Sequence, residues 1–189
     1  MARCQGERVE GSRELGRARC SGAAAFRDRG ALRVGGAGAM TAAFPRTGAP
    51  LRFAGYAAIF SKRDSGGDTI LPGAFKDSLE RRLSEGLRLP LLWQHRPDQR
   101  IGWIESAGED ERGLRVIARI DDAESAAARA LSAGKIDGLS FGYRVRQGRA
   151  LPGGRELHDL DILEVSLVTR PMQPLARVHS LESGTAPQA

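Results

Sequence analysis

Ser140 lies in the string Gly138-Leu139-Ser140-Phe141-Gly142, with a glycine two residues away on either side. Glycines so placed let a substrate backbone approach closely and leave a neighbouring main-chain amide free to bind an oxyanion. A hydroxyl is a weak nucleophile until a base takes its proton. Histidine is the usual base near neutral pH, and only His95, His158 and His179 are available. His95 follows the apolar run PLLWQ and precedes RPDQ, which places it at the end of an expected strand. There a side chain can face a cleft while the strand holds its backbone still. Glu164 sits in the apolar frame ILEVSLV, where a buried carboxylate is costly unless it is paired. A histidine whose tautomer must be fixed and whose cation must be stabilised is such a partner.

Each of these residues also has a plainer reading. A histidine at a strand edge is commonly structural, and a serine on a glycine-containing strand commonly faces solvent. Glu164 fits an edge strand facing water, or a structural pair with one of the many Arg, equally well. His158, Asp159 and Asp161 lie within six residues of Glu164 on the same expected strand. With a period of two, Glu164 shares a face with His158, Leu160 and Ile162, while Asp159 and Asp161 share one with Leu163 and Val165. The string around Ser140 also matches G-x-S-x-G, but that elbow needs a helix after the serine and an extended parallel sheet. Here YRVRQG continues as strand.

Other chemistries find no support. Cys4 and Cys20 both lie near the N-terminus, leaving the body without a thiol for covalent catalysis, a disulfide or a zinc site. The histidines lack metal-ligand spacing, GGDTILPGAF lacks the ending of a phosphate loop, and no cofactor is implied. No stretch approaches the ~20 apolar residues of a membrane span, nor does the N-terminus carry an apolar signal block. The formal charge is +6, but residues 1–50 hold nine Arg against four acids, leaving a body of 20 bases and 19 acids. A basic arm of this kind binds nucleic acid only by nonspecific electrostatics. Residues 1–39 read as a disordered extension or as sequence upstream of a start at Met40.

The elements that would position these groups follow from periodicity. LRFAGYAAIF (51–60) reads as a strand ended by the turn-rich SKRDSGGD. Phe75, Leu79 and Leu83 recur every four residues, the stripe of an amphipathic helix that Gly86 stops. Segments 89–95 and 100–106 read as strands joined by RPDQ, and 113–120 alternates. A second helix is expected in ESAAARALSA, capped by Asp121 with Glu124 and ended by Gly134. Residues 139–146 and 157–169 alternate on either side of an expected loop, RQGRALPGGRE, before Pro171 and Pro174 break the pattern. The sum is a mainly β domain with two flanking helices, an antiparallel barrel or sandwich of α+β class, over residues 51–180. Residues 1–50 and 181–189 read as flexible extensions.

In order, the segments GYAAIFSKRDSGGDTILPGAF, LPLLWQH, IGWIE, GLRV, SAGKIDGLSFGY and ILEVSLVTRPMQPLA resemble the caudoviral prohead protease family from about residue 55 to 178. The resemblance implies a herpesvirus-assemblin-like fold, a β-barrel surrounded by helices. It implies a serine endopeptidase that digests scaffold and trims the major capsid protein inside the assembling procapsid, in the host bacterial cytoplasm. On that resemblance His95 of LLWQH is the base, Ser140 of GLSFGY the nucleophile, and Glu164 of EVSLVT the third member. Amides near Ser140, at Phe141, or in the turn at Arg170 would hold the oxyanion. Relatives of assemblin type commonly dimerise. A bacteriophage, a prophage or a gene transfer agent would suit the composition. MQPLA stands where many relatives have an Ala-Asn pair, and a non-catalytic assembly or scaffold-binding factor of the same fold is the alternative.

Overall fold

A computed structural model describes residues 50–183 of the chain. The readings on residues 1–49 and 184–189 lie outside the described residues. Eight strands and two helices follow in the order β1 (Leu51–Ile59), β2 (Asp68–Ile70), α1 (Lys76–Ser84), β3 (Leu89–Trp93), β4 (Arg96–Glu109), β5 (Gly113–Ile120), α2 (Ala126–Ser132), β6 (Gly138–Leu151), β7 (Gly154–Val168) and β8 (Val178–Ser183). They form one sheet with the order β2-β7-β3-β4-β5-β1-β8, and β6 pairs with β7. The architecture is mainly β, as the alternation indicates, but it is not wholly antiparallel. Strands β2 and β3 both run parallel to β7.

β7 is the hub. β6 covers it antiparallel from Gly138 opposite Val168 to Leu151 opposite Gly154, while β2 and β3 pair with its two ends, at Arg155–Leu157 and Val165–Leu167. β7 bulges twice against β6. Gly142 faces Glu164 and Tyr143 faces Ile162, so Leu163 is extra; His158 is left out in the same way between Asp159 and Leu157. An extra residue reverses which face the following side chains take. The core side accordingly switches from Leu160 and Ile162 to Val165 and Leu167, all fully buried.

The core gathers Phe53, Phe75, Leu91, Leu114, Val116, Ile120, Leu139 and Leu157 with these residues. α1 is held against β7 largely by polar ties. The Ser78 hydroxyl accepts from Ile162 N at 3.0 Å, Arg82 Nε donates to the Ile162 carbonyl at 3.0 Å, and Arg81 pairs with Asp161. Its first turn is capped from β4, where the Glu109 carboxylate accepts from Gly73 N and Phe75 N, each at 2.7 Å. The expected stripe is only partly used. Phe75 is buried at the helix entrance, but Leu83 is 84% exposed. α2 begins at Ser125, whose hydroxyl accepts from Ala128 N at 3.2 Å, in place of the box expected at Asp121 and Glu124. Among the described residues no helix is long and apolar enough to cross a membrane.

Candidate active site

The turn between β3 and β4 consists of Gln94 and His95 alone, since Trp93 pairs with Arg96. Both residues are left-handed, with φ of 52° and 59°, as a two-residue type I′ hairpin requires. Gly, Asn and Asp accept that backbone readily, whereas other side chains resist it by about 1–2 kcal/mol per residue. Three hydrogen bonds to the end of β7 hold it in place. Gln94 N donates to the Leu167 carbonyl at 3.0 Å, His95 N to Ser166 Oγ at 3.1 Å, and Thr169 N to Gln94 Oε1 at 3.3 Å. His95 is thus not at a strand end as its flanks suggest. It stands in a constrained turn whose geometry is dictated by β7. The RPDQ segment lies within β4, where the register jumps from Arg96 opposite Trp93 to Arg100 opposite Leu92, leaving 97–99 looped out.

His95 Nδ1 is 2.7 Å from Glu164 Oε1. A carboxylate can only accept, so Nδ1 carries the proton, and in the neutral imidazole Nε2 presents its lone pair. The bulge at Leu163 makes this pairing available, because strict alternation would send Glu164 to the face of Leu160 and Ile162, which is core. The other carboxylate oxygen, Oε2, accepts from Ser166 Oγ at 2.6 Å. Ser166 therefore contacts both the carboxylate and the main chain of His95. Its position two residues after Glu164 was the sequence signal for a shared face.

Ser140 faces Ser166 directly across the β6–β7 ladder, two residues from the Gly142–Glu164 pair. Directly paired residues project to one side of a sheet, so Ser140, Ser166 and Glu164 share a face, opposite the core side of Leu139, Val165 and Leu167. Ser140 is 6% exposed and Ser166 not at all. The two neighbouring glycines also answer to close packing within the chain. A Cβ at Gly142 would lie 2.6 Å from Glu164 Oε1, and one at Gly138 would lie 2.5 Å from the Val168 carbonyl and 2.9 Å from Pro171 Cδ. The first leaves room for the carboxylate; the second lets the turn after β7 close against the strand of Ser140.

The remaining candidates separate clearly. Phe141 packs edge-on against Phe75 and tilted against Tyr143, each at 5.1 Å between ring centres. Leu139 N donates to the Ala176 carbonyl, away from β7, and alternation gives the Phe141 amide the same direction. Arg170 is exposed in the turn that packs on Gly138. Asp159 and Asp161 are paired with Arg146, and His158 lies near Glu156 at 3.7 Å. His179 stacks edge-on against Tyr56 at 5.6 Å. Among the described residues no group of three or more His, Cys, Asp or Glu could hold a metal ion.

A hydroxyl, an imidazole and a carboxylate gathered at one end of a sheet are the groups that acyl-transfer hydrolases use. Residues 43–188 match the Caudovirus prohead serine protease family, and the chain belongs to it. The chain is 33% identical over 138 residues to the prohead protease of Enterobacteria phage HK97, an alignment covering 69% of this chain and 60% of that protein. It is 28% identical over 127 residues to a capsid polyprotein of Pseudomonas phage PAJU2, covering 61% of this chain and 19% of the polyprotein. It thus spans less than two thirds of the length of these curated relatives. The structure of varicella-zoster virus protease aligns with a TM-score of 0.47 and 19% identity, over 69% of this chain and 63% of that one.

Proposed function

We propose that the protein is a serine endopeptidase that processes capsid and scaffold protein during procapsid maturation, with Ser140 as nucleophile, His95 as base and Glu164 as third member. The reading rests on the 2.7 Å contact of His95 with Glu164 on the sheet face that also carries Ser140, in a chain of this family. His95 Nε2 takes the Ser140 proton as Oγ attacks the peptide carbonyl; the imidazolium then gives that proton to the leaving amine, and water hydrolyses the acyl-enzyme. Glu164 fixes the tautomer throughout. Among the described residues no hydrogen bond joins Ser140 to His95, and catalytic hydrogen bonds often tighten only with substrate bound. The Phe141 amide and the turn at Arg170 supply the oxyanion donors, each worth about 3–4 kcal/mol where such donors have been removed elsewhere.

The site lies inside the assembling procapsid in the host. The sheet closes into a barrel around residues 176–178, an idea supported by bonds from Leu139 N to Ala176 O at 3.0 Å and from Val178 N to Asp137 O at 2.8 Å. Tyr56 N of β1 donates to Arg177 O at 3.0 Å from the other side.

Co-expression of the full chain with its cognate capsid protein, followed by intact-mass analysis, tests the function. A shortened capsid N-terminus is expected with the parent chain and not with Ser140→Ala or His95→Ala. Full-length capsid protein in every case would overturn the peptidase reading and leave the assembly factor.

A further inference from the structure

We propose that Ser166 is a positioning residue that sets the His95–Glu164 pair in register with Ser140, within a slot whose other wall is Gly142. The proposal rests on the peptidase reading for its catalytic meaning, but not for its geometry.

Ser166 is fully buried, and its one hydroxyl ties its own strand, β7, to the β3–β4 turn. It donates to Glu164 Oε2 at 2.6 Å and accepts from His95 N at 3.1 Å. A hydroxyl carries one proton and two lone pairs, so both bonds are made without conflict. The first fixes the rotation of the carboxylate, aiming Oε1 at Nδ1. The second holds the left-handed turn that carries the ring. Its side chain is wholly buried and its proton is committed to Glu164, which suits a positioning role rather than nucleophilic attack.

Gly142 completes the slot from the neighbouring strand. A Cβ there would press on Glu164 Oε1 from 2.6 Å and on Cγ from 3.1 Å. The carboxylate could escape only by turning, which would break its bond to either His95 or Ser166. Two residues on different strands thus confine one carboxylate, and a displacement of about 1 Å in such a constellation costs on the order of 10²-fold in rate.

The test uses the full chain and two readings, the low-field proton resonance of His95 Nδ1 and steady-state cleavage of a capsid-derived peptide. In Ser166→Ala and in Gly142→Ala the resonance is expected to disappear, with kcat falling on the order of 10²-fold and KM unchanged. A folded Ser166→Ala that keeps the resonance, or keeps kcat, would overturn the proposal. Should Ser166→Ala not fold, Gly142→Ala decides on the same two readings. If instead Ser140→Ala still cleaves, the peptidase reading fails while the resonance continues to judge the role of Ser166.

Discussion

From Gly138 to Gly142, β6 runs opposite Val168 to Glu164 without a register break, whereas from Tyr143 onward the same two strands slip three times. The near half holds two serines, two glycines and one carboxylate; Gly138, Ser140 and Ser166 are buried, Gly142 and Glu164 half-buried. In the far half β6 carries Arg144, Arg146 and Arg149 and is exposed from Arg144 on, while β7 keeps Leu157, Leu160 and Ile162 in the core. Bulges twist a strand and re-aim its side chains, which an exposed arm tolerates and a site held to a few tenths of an ångström does not. The first slip, at Leu163, marks the border between the two and turns Glu164 to the site. The far half has its own anchor. Arg155 forks onto the buried Asp68 at 2.8 and 2.5 Å, and the Tyr143 hydroxyl donates to Asp68 at 3.0 Å. Burial raises the Tyr143 phenol well above its usual range, and the Asp68 charge adds to the rise, so that hydroxyl stays a donor.

If the halves divide chemistry from stability, substitutions should sort by position. Beyond Ser140 and His95 themselves, the largest effect is expected at Glu164→Gln, which keeps the shape but cannot stabilise the imidazolium. kcat should fall by about 10²–10⁴-fold, as when the acid of a serine triad is neutralised, with little change in melting temperature. Asp68→Ala, in the far anchor, should do the reverse. Removing the carboxylate that Arg155 and Tyr143 share should lower unfolding free energy by about 1.5–3 kcal/mol, while kcat per folded molecule is kept. Denaturant titration with active-site counting separates the two quantities. Gly138→Ala should show both effects at a smaller scale, because the Val168 carbonyl and Pro171 cannot yield cheaply. A loss of about 1–3 kcal/mol together with reduced kcat is expected, and an unchanged kcat would deny the turn after β7 any role in the site. Arg149→Ala removes an exposed pair with Glu156, 2.6 Å long, and should change stability by no more than about 1 kcal/mol.

Much of the frame was legible because period-two alternation survives wherever one face meets the core. β5 matches its expected range, and β1 and the two helices lie close to theirs. What was hidden has physical causes. The β3–β4 turn uses Gln94 and His95, neither a usual turn residue, so the apolar run reads on through His95. β2 is three residues long, too short for any periodicity, and β8 follows the prolines that signal the end of the pattern. The supposed loop RQGRALPGGRE is mostly strand, polar because it is exposed rather than because it turns. Within the site, the glycines around Ser140 are legible as small residues, but not the fact that Gly142 makes way for Glu164 and Gly138 for the Val168 carbonyl and Pro171. The parity argument for the acid could not be settled along β7 because Leu163 and His158 each reverse it. Ser166 shared the face of Glu164 in sequence, but only the left-handed turn of His95 gave its hydroxyl a second partner.

The most direct measurement is covalent capture. A peptidyl phosphonate built on the capsid cleavage site would be incubated with the folded chain, and the modified residue mapped by mass spectrometry. A single adduct on Ser140, absent after denaturation and absent in His95→Ala, is the expected result. An adduct on Ser166 or another hydroxyl, or labelling that persists without the imidazole of His95, would contradict the assignment.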